Sequence, residues 1–421
     1  MLINSRLRRT ALALAIATIA SSCGRFHSSG DAGTDWTGAW TAAPQLTEPN
    51  NMPPAPPNTP PVPGLSGTTL RQVIHPSLGG TRWRFRVSNE FGDGPLVIQT
   101  AHVARSPVRG MIDPTTDAAL LFSRKTSVTV PRGRAAVSDP VSFAADAFSD
   151  IAITLYVPQA PNALTGHPGS RTTSFITSGN QVSEVGFPIF TEVLHWYLIS
   201  GAEVMSNAAG AVVILGNSIA DGRGSTNDMN DRWPDDLAHR LAEARSANGR
   251  PAVAVLNAGI GGNAVVRGGL GPTALARFDR DVLAQARARW VIVCDGVNDI
   301  GGSRPDSAAA VALHLIDAYG EMIRRAHARG IKVFGGTIMP FGGSQYSSRE
   351  HEAARLAVNA WIRKAGAFDA VIDFDAATRD PGDPSRLRGD VDGGDHLHPS
   401  AAGYRIMAAA VDLSLFAAPR D

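Results

Sequence analysis

The stretch that decides the fold is residues 211–222, AVVILGNSIADG. It opens with a run of apolar, mostly β-branched residues that ends at Gly216, and this pattern is typical of a buried strand. Gly216 permits a sharp turn, so Ser218 comes just past the strand end. An open α/β sheet places its chemistry outside the carboxyl ends of its strands. Ser218 is therefore a candidate nucleophile, although an isolated Ser at this position more often caps the following helix.

Strands and helices alternate from about residue 210 onwards. The predicted strands are Ala211–Leu215, Ala252–Leu256, Trp290–Cys294, Ile331–Thr337 and Ala370–Phe374. The predicted helices lie near Trp233–Ala247, Thr273–Arg287, Asp306–Arg329, Ser348–Lys364 and Ser400–Leu415. Right-handed crossovers between parallel strands then give a three-layer α/β/α, flavodoxin-like domain with a five-stranded parallel sheet, over residues 210–417.

Short strands between turn signals fill the preceding half of the chain. Residues 82–87, RWRFRV, alternate polar and apolar side chains, as a half-buried strand does. This pattern predicts an all-β sandwich or jelly-roll-like domain over residues 36–205. The Pro-rich residues 44–64 are predicted to form an extended, exposed loop or linker.

The first residues have the features of an export signal. A basic segment containing Arg8 and Arg9 precedes a short apolar run at residues 10–20, which is too short to span a bilayer. Residues 20–23, ASSC, resemble a bacterial lipoprotein cleavage box, so Cys23 is a candidate lipidation site. We expect a signal peptide at 1–23, a polar spacer at 24–35 and export, either to the cell envelope as a periplasmic or outer-membrane lipoprotein or into the medium. A lipid on Cys23 would be the only membrane contact.

Composition restricts the classes of function. The chain has 421 residues, 43% of them hydrophobic and 18% charged, which indicates a globular protein. A formal net charge of +1 argues against a nucleic-acid partner held by bulk electrostatics. The two cysteines are Cys23, at the processing site, and Cys294, in an apolar strand, so no disulfide is expected.

Polar loops follow the strands of the C-terminal half, and they supply the groups that acyl transfer needs: a nucleophile, a base, a group that orients the base and donors for an oxyanion. Ser218 can attack, His398 can take its proton, and Asp395, three residues earlier, can orient the imidazole. The backbone N–H groups of Ser218 and Gly261 and the side-chain amide of Asn298 can stabilise the oxyanion. Each signal is weak alone. Their order, one per strand end, points to a single site.

These loops resemble the conserved blocks of the SGNH hydrolases, also called GDSL esterases and lipases. The blocks are GNSIADG at 216–222, NAGIGGN at 257–263, GVNDI at 296–300 and DHLHPSAAGY at 395–404. The resemblance implies a Ser218–His398–Asp395 triad with Gly261 and Asn298 in the oxyanion hole. Residues 230–234 and 340–344 resemble the branch containing xylan-associated acetyl esterases and arylesterases, part of which carries an N-terminal β-domain. This branch implies a serine esterase acting on short-chain esters, including acetyl groups on polysaccharide, without a cofactor.

One position departs from the family pattern. The first block usually reads Gly-Asp-Ser, whereas Asn217 precedes Ser218 here. Asn217 can still hydrogen-bond to nearby loop amides, but it removes a negative charge beside the oxyanion hole. We expect activity to survive this change.

Three alternatives remain open from the sequence. A lysophospholipase or lipase-type acyl hydrolase would use the same residues. A glycan-binding surface lipoprotein with weak esterase activity would use exposed tryptophans, for which Trp36, Trp40, Trp83 and Trp196 are candidates, although tryptophan in strands is more often core. A metal hydrolase would draw ligands from the acidic and histidine-rich residues 390–398, but these lack the closing Glu of a twelve-residue calcium loop, and we predict no metal.

Overall fold

A computed structural model describes residues 35–60, 64–249 and 251–417, and these belong to one compact unit that begins at Thr34. Cys23 and the predicted signal peptide lie outside the described residues. Among the helices of the described residues, none has the length and apolar character needed to cross a bilayer.

Antiparallel strands make up the N-terminal part. They are β1 (Asp35–Thr41), β2 (Gln45–Leu46), β3 (Thr68–Ile74), β4 (Gly80–Asn89), β5 (Leu96–Ile98), β6 (Thr100–Arg105), β7 (Ala118–Ala119), β8 (Val128–Val130), β9 (Arg134–Val137), β10 (Val141–Ala145), β11 (Ile151–Val157), β12 (Thr165–Pro168), β13 (Ser174–Ser178), β14 (Thr191–Val193), β15 (His195–Tyr197) and β16 (Ile199–Ser206). One sheet has the order β1-β16-β4-β10 with β9 also paired to β4, and a second has the order β14-β13-β3-β11-β6-β7. Smaller sheets are β15-β12-β2 and β5-β8. We call this part the β-region.

Strand β4 shows why these residues form a sheet. Trp83, Phe85 and Val87 are buried, while the arginines between them face outward, as the alternation predicts. Elsewhere the extended chain is interrupted. The stretch 191–198 contains two short strands and ends at Leu198, whose φ of 64° breaks the extended conformation before β16 begins.

The C-terminal part contains five parallel strands: β17 (Gly210–Gly216), β18 (Val253–Gly259), β19 (Ala288–Cys294), β20 (Lys332–Gly336) and β21 (Ala370–Ile372). Its helices are α1 (Ser218–Asp221), α2 (Trp233–Asn248), α3 (Ala274–Phe278), α4 (Val297–Gly301), α5 (Ala308–His327), α6 (Arg349–Ile362), α7 (Phe374–Thr378) and α8 (Ala401–Ala409). The strand order β18-β17-β19-β20-β21 is the flavodoxin-like order 2-1-3-4-5. The predicted fold class is therefore confirmed: a parallel α/β domain preceded by a β-rich region. We call this part the α/β region.

Two boundaries in the α/β region differ from the prediction. The helix predicted at 273–287 is shorter, because α3 passes into a π-helical turn at Asp279–Leu283. The last strand was predicted to reach Phe374, but this residue instead begins α7, since Asp373 caps the helix by accepting a hydrogen bond from the Ala376 N–H. Short 3₁₀ turns complete the fold, at Pro49–Asn51, Pro114–Thr116, Pro305–Ser307 and Leu413–Phe416.

Glycines at the strand ends bring helix α1 close to the sheet. A Cβ on Gly259 would lie 2.4 Å from the Asp221 nitrogen, and one on Gly216 would lie 2.7 Å from the Ala220 Cβ. No larger residue fits either position without backbone movement. These two glycines therefore let the helix that carries Ser218 cross directly over the ends of β17 and β18.

The β-region and the α/β region share one hydrophobic core, in which Trp40 of β1 and Leu256 of β18 both lie. Gly38 of β1 approaches β18 so closely that a Cβ there would lie 2.7 Å from Leu256 Cδ1. The Gly38 N–H donates to the Ala286 carbonyl at 3.0 Å. The β-region thus packs directly on the parallel sheet.

The expectation of an exposed loop at residues 44–64 is wrong for its first part. Gln45 and Thr47 are 3% and 4% exposed. Strand β2 pairs with β12, and the Tyr197 hydroxyl donates to the Asn51 carbonyl at 2.7 Å. These contacts hold residues 45–51 against the rest of the β-region, where they form one wall of the cleft that contains Ser218.

Candidate active site

Ser218 is the first residue of α1 and lies at the carboxyl end of β17, between the ends of β18 and β19. This is where the strand order reverses, the point at which open α/β sheets bind ligands. The Asn217 side chain caps α1 by accepting a hydrogen bond from the Ile219 N–H at 3.0 Å. Because the preceding Asn takes the cap, Ser218 keeps its hydroxyl free for His398, 2.8 Å from its Nε2. The capping role considered for Ser218 therefore belongs to Asn217.

His398 and Asp395 lie in the loop that precedes α8, and the structure brings them to Ser218. The His398 Nδ1 lies 2.7 Å from Asp395 Oδ2. The other oxygen, Asp395 Oδ1, accepts the backbone N–H groups of Leu397 and His398 at 3.1 and 2.8 Å. Because an ionised carboxylate only accepts, Nδ1 carries the proton and Nε2 is the acceptor for the Ser218 hydroxyl.

The charges around this chain of hydrogen bonds favour a neutral imidazole. Burial lowers the pKa of His398, and the positive charges of Arg223 and Arg171 lower it further, against the opposing effect of Asp395. For Asp395, partial burial acts to raise the pKa, but its hydrogen bonds with His398 and Leu397 outweigh this and lower it to about 2. At neutral pH the base is therefore unprotonated and its partner is ionised.

The three predicted oxyanion donors line one cleft with Ser218 and His398. Among the described residues, the N–H groups of Ser218 and Gly261 have no hydrogen-bond acceptor. The Asn298 amide donates one hydrogen to the Asn263 carbonyl at 2.7 Å, and its oxygen accepts from the Tyr346 hydroxyl at 3.0 Å. These two contacts fix the amide and leave its second N–H available for a ligand.

Arg277 holds these loops together, and the sequence reasoning missed it. Its buried guanidinium donates to the carbonyls of Gly216 and Ala258, at 2.9 and 2.6 Å, and to the Asn263 side chain at 2.9 Å. It thereby ties the ends of β17 and β18 to the loop that contains Gly261. The only sequence signal is an arginine on the apolar side of a predicted helix, and that signal does not specify its partners.

Asp299 fixes the other end of the same loop. Its carboxylate accepts the N–H groups of Val265 and Val266 at 2.8 and 2.9 Å. The sequence places Asp299 in the GVNDI stretch at 296–300 without assigning it a role. Together with Arg277 it makes the oxyanion loop a rigid element, which is what preorganised donors require.

Behind the nucleophile, Asn217 contacts a second carboxylate. Its Nδ2 donates to Asp295 Oδ1 at 2.9 Å, and Asp295 is 3% exposed with no partner for Oδ2 among the described residues. Burial and the charge of Asp299 raise the pKa of Asp295 to about 7, although Arg277 and Asn217 partly oppose this. The negative charge that Asn217 lacks is therefore supplied, in part, by Asp295.

The β-region also reaches the site. His167 of β12 contacts Asp221 of α1, with 2.8 Å between Nε2 and Oδ1, and both side chains are buried. The other nitrogen of His167 lies 2.9 Å from the Ala43 carbonyl oxygen. Asp221 in turn lies beside the oxyanion loop, since a Cβ on Gly261 would be 3.4 Å from its Oδ2. This contact joins residues 54 positions apart, and no motif predicts it.

The cleft is open and holds about 630 Å³. Its polar lining comes from both parts of the molecule, and many of these side chains can donate or accept hydrogen bonds. They are Gln45, Glu48, Asn51, Arg171 and His195 from the β-region, and Arg223, Ser344, Gln345 and Tyr346 from the α/β region.

The four tryptophans considered for glycan binding do not form an exposed surface. Trp40, Trp83 and Trp196 are buried in the core, and Trp36 is stacked under Arg84, so three of the four cannot stack on a sugar. In residues 390–398, His396 pairs with Asp392 at 2.5 Å and His398 with Asp395. Within the described residues, no group of three or more His, Cys, Asp or Glu side chains is arranged to hold a metal ion.

Comparison with known proteins identifies the C-terminal part. The model of the GDSL-like lipase/acylhydrolase family matches residues 214–406, which include all the site residues above from the α/β region. This part of the chain belongs to that family. As a GDSL-type hydrolase, the protein is a carboxylic ester hydrolase, and the esterase prediction is confirmed at this level. No curated protein matches the chain.

Several solved structures are similar to about half of this chain. An acetylxylan esterase from Geobacillus stearothermophilus has 19% identity over 48% of this chain and 92% of its own, with a TM-score of 0.36. A GDSL-like lipase from Bacteroides thetaiotaomicron has 20% identity over 48% of this chain and 85% of its own, with a TM-score of 0.33. These matches cover about half of the chain, and the family assignment rests on the sequence match.

Proposed function

We propose that this GDSL hydrolase is a serine esterase that cleaves short-chain esters of polar alcohols, including acetyl groups on polysaccharide, through an acyl-enzyme. The observation that carries the proposal is the continuous hydrogen-bond chain from Ser218 through His398 to Asp395, next to backbone donors that have no acceptor among the described residues. Nucleophile, base and base-orienting group are the minimum set for acyl transfer.

In the first half-reaction, the Ser218 oxygen bonds to the ester carbonyl carbon while His398 Nε2 takes the hydroxyl proton. The carbonyl π electrons move to the oxygen, which binds the N–H groups of Ser218, Gly261 and Asn298. When this intermediate collapses, the bond to the alcohol oxygen breaks. His398 gives that oxygen the proton, and the acyl group stays on Ser218.

In the second half-reaction, water attacks the acyl-enzyme and passes a proton to His398. The bond between the acyl carbon and the Ser218 oxygen breaks, and His398 returns the proton to that oxygen. The acid leaves and the enzyme is restored. Asp395 remains ionised throughout and stabilises the imidazolium that forms twice.

The lining of the cleft supports a short acyl group and a polar alcohol. Most of its side chains are polar or charged, and the larger apolar ones are Leu270, Leu397 and the ring of Tyr346. A long acyl chain would need a continuous apolar surface to gain free energy on burial, at about 25 cal/mol per Å². A sugar hydroxyl surface would instead find donors and acceptors.

Hydrolysis of p-nitrophenyl esters of increasing chain length, alongside acetate release from acetylated xylan, tests this proposal. We expect kcat/KM to be highest for acetate and to fall as the chain lengthens. Ser218→Ala should abolish hydrolysis of every ester. A variant that keeps the parent rate would exclude the mechanism, and a maximum at long chains would favour the lipase-type alternative.

We further propose that the protein is exported and lipidated at Cys23, on the sequence features of residues 1–23 alone. Labelling cells with a fatty-acid probe tests this, with Cys23→Ala as the control. Incorporation that depends on Cys23 would support a lipoprotein, and unlabelled protein in the medium would support secretion.

A further inference from the structure

Two arginines face the cleft from opposite parts of the molecule. Arg171 lies in the β-region, in the loop that follows β12, and Arg223 lies two residues after helix α1. Both are close enough to His398 for their charges to lower its pKa. The proposed mechanism gives neither of them a role.

The side chain of Arg171 has no partner in the part of the chain that the structure describes. Among the described residues its guanidinium makes no hydrogen bond or ion pair, and its Nε is completely buried without an acceptor. By contrast, the buried guanidinium of Arg355 bonds to Glu352, Asp375 and the Ile338 carbonyl. A buried N–H donor without an acceptor is destabilising, so the retention of the unpaired Arg171 Nε indicates an acceptor from outside the chain.

The backbone around Arg171 is held in a fixed conformation. Its φ is 56°, in the left-handed region that an L-residue seldom adopts, and its carbonyl accepts the Asp228 N–H at 2.8 Å. The Asp228 carboxylate accepts the N–H and hydroxyl of Thr173 at 2.7 Å and pairs with Arg109 at 3.3 Å. The loop therefore fixes Arg171 without neutralising it.

Arg223 is positioned in a similar way. Its carbonyl accepts the buried Tyr404 hydroxyl at 2.6 Å, which anchors the backbone, while its side chain is exposed and makes no hydrogen bond or ion pair among the described residues. An exposed arginine is common, but this one lines the same cleft as Arg171 and His398. The cleft therefore contains two guanidinium groups that form no ion pair with any of the described residues.

The carboxylates of the cleft are already engaged. Asp395 pairs with His398, and Asp221 pairs with His167. Glu48 accepts hydrogen bonds from the side-chain amides of Gln45 and Asn51, at 2.6 and 2.9 Å. None of them forms an ion pair with either arginine, so both guanidinium groups remain available to a ligand.

A neutral donor lies beside them. The Nδ1 of His195 accepts the Gly169 N–H at 2.9 Å, so the proton of the neutral ring is on Nε2. Burial lowers the pKa of His195, and the charges of His167 and Arg171 lower it further against the opposing charge of Glu48, which favours the neutral ring. His195 thus adds a hydrogen-bond donor to the same wall of the cleft.

We propose that the ester substrate carries an anionic group, a carboxylate or a phosphate, on its alcohol half, and that Arg171 and Arg223 bind it. This rests on the esterase function proposed above and specifies its substrate class. Guanidinium groups match both anions through paired N–H donors. The anion belongs to the alcohol half because both arginines share the cleft with His398, which protonates the leaving alcohol. An acetylated sugar acid or sugar phosphate has this chemistry.

Three matched substrates test the proposal: an O-acetylated methyl glucuronoside, the corresponding methyl glucoside, and an O-acetylated glucose 6-phosphate. We expect kcat/KM for at least one anionic ester to exceed that for the neutral glucoside by about tenfold or more, as charge-assisted hydrogen bonds predict. The ester with the larger preference identifies the anion. The preference should fall as salt is added, because the contacts are partly exposed.

Arg171→Gln and Arg223→Gln should each reduce this preference by about tenfold, mainly through KM, and the Lys variants should retain part of it. Arg349→Gln is the matched control, because Arg349 is exposed at the start of α6 outside the cleft, and it should leave the preference unchanged. The inference would be overturned if the parent enzyme had equal kcat/KM for the anionic and neutral esters, or if the preference for the anionic ester survived in both Gln variants. If instead no ester is hydrolysed in a Ser218-dependent way, the proposed esterase function itself fails.

Discussion

At the scale of single residues, the site depends on how buried polar atoms are paired around Ser218. Asn217 both caps α1 and donates to the buried Asp295 at 2.9 Å. A substitution to Asp would restore the usual residue of the family but place two carboxylates in hydrogen-bond contact. Such a pair can be accommodated only if it holds a proton.

We therefore expect Asn217→Asp to destabilise the fold and reduce kcat at pH 8. The double variant Asn217→Asp/Asp295→Asn should regain stability and kcat, because an amide and a carboxylate again face each other. The coupling free energy in a double-mutant cycle, read from urea unfolding, should be on the order of 1–3 kcal/mol. Asn180→Asp, at an exposed loop position, is the control. Additive effects of the two substitutions would contradict this account of the pair.

Asn298 provides a second prediction at this scale. Its amide is fixed by Asn263 and Tyr346, so it can stabilise the oxyanion without reorganisation. Asn298→Ala should lower kcat by about a hundredfold or more with a small change in KM, as for other oxyanion donors. Tyr346→Phe removes the hydrogen bond to the Asn298 amide oxygen but leaves the bond to the Asn263 carbonyl, so it should have a smaller effect on kcat. A change confined to KM would mean that Asn298 binds substrate without acting in the transition state.

At the scale of elements, the contact between β12 and α1 joins the two parts of the molecule at the site. Both nitrogens of His167 face acceptors, the Ala43 carbonyl and the Asp221 carboxylate, so the ring is held as an imidazolium. Burial acts to lower the pKa of His167, and the charge of Arg232 adds to this. Asp221 outweighs both, and the net shift is upward.

A raised pKa in the folded state fixes the sign of the pH dependence. The stabilisation is fully present below the unfolded value of about 6.5 and is lost as the pH rises through the folded value. His167→Gln should therefore cost more unfolding free energy at pH 6 than at pH 9. His327→Gln is the control, because the His327–Asp369 pair is half exposed and should contribute less than about 1 kcal/mol. An equal cost of His167→Gln at both pH values would show that His167 is neutral in the fold.

The elements also show what the sequence can and cannot predict. The strand ends with Gly216 and Gly259, and the loops with Asn298 and His398, were predictable because each carries a local signal of turn and polarity. The partners of Arg277 were not, since a buried arginine can satisfy itself with any nearby carbonyl. The ends of α3 and β21 were misplaced because a π-turn and the cap by Asp373 override apolar periodicity.

At the scale of the whole molecule, the cleft is built by both the β-region and the α/β region. The Pro-rich segment and the loop containing Arg171 line it from one side, and the triad lines it from the other. Motifs in one half of a chain cannot specify which surface of the other half will cover them. This is why the catalytic groups could be predicted and the substrate-facing wall could not.

The shared core leads to a prediction about the isolated GDSL domain. Removing the β-region would expose the apolar face around Leu256 and leave Asp221 without His167. We expect residues 207–417 alone to aggregate or to lose most esterase activity, measured by size-exclusion chromatography and p-nitrophenyl acetate hydrolysis. A soluble fragment with the full parent kcat/KM would mean that the β-region takes no part in the site.

The account depends most on Ser218 as the residue that carries the acyl group. Peptide mass mapping after rapid acid quenching of the enzyme with p-nitrophenyl acetate tests this directly. We predict a mass increase of one acetyl group on the peptide containing Ser218, which should be absent in Ser218→Ala. It should accumulate in His398→Ala if slow acylation still occurs, since that variant lacks the base for deacylation. An acetyl group on another residue, or ester turnover that persists in Ser218→Ala, would contradict the mechanism.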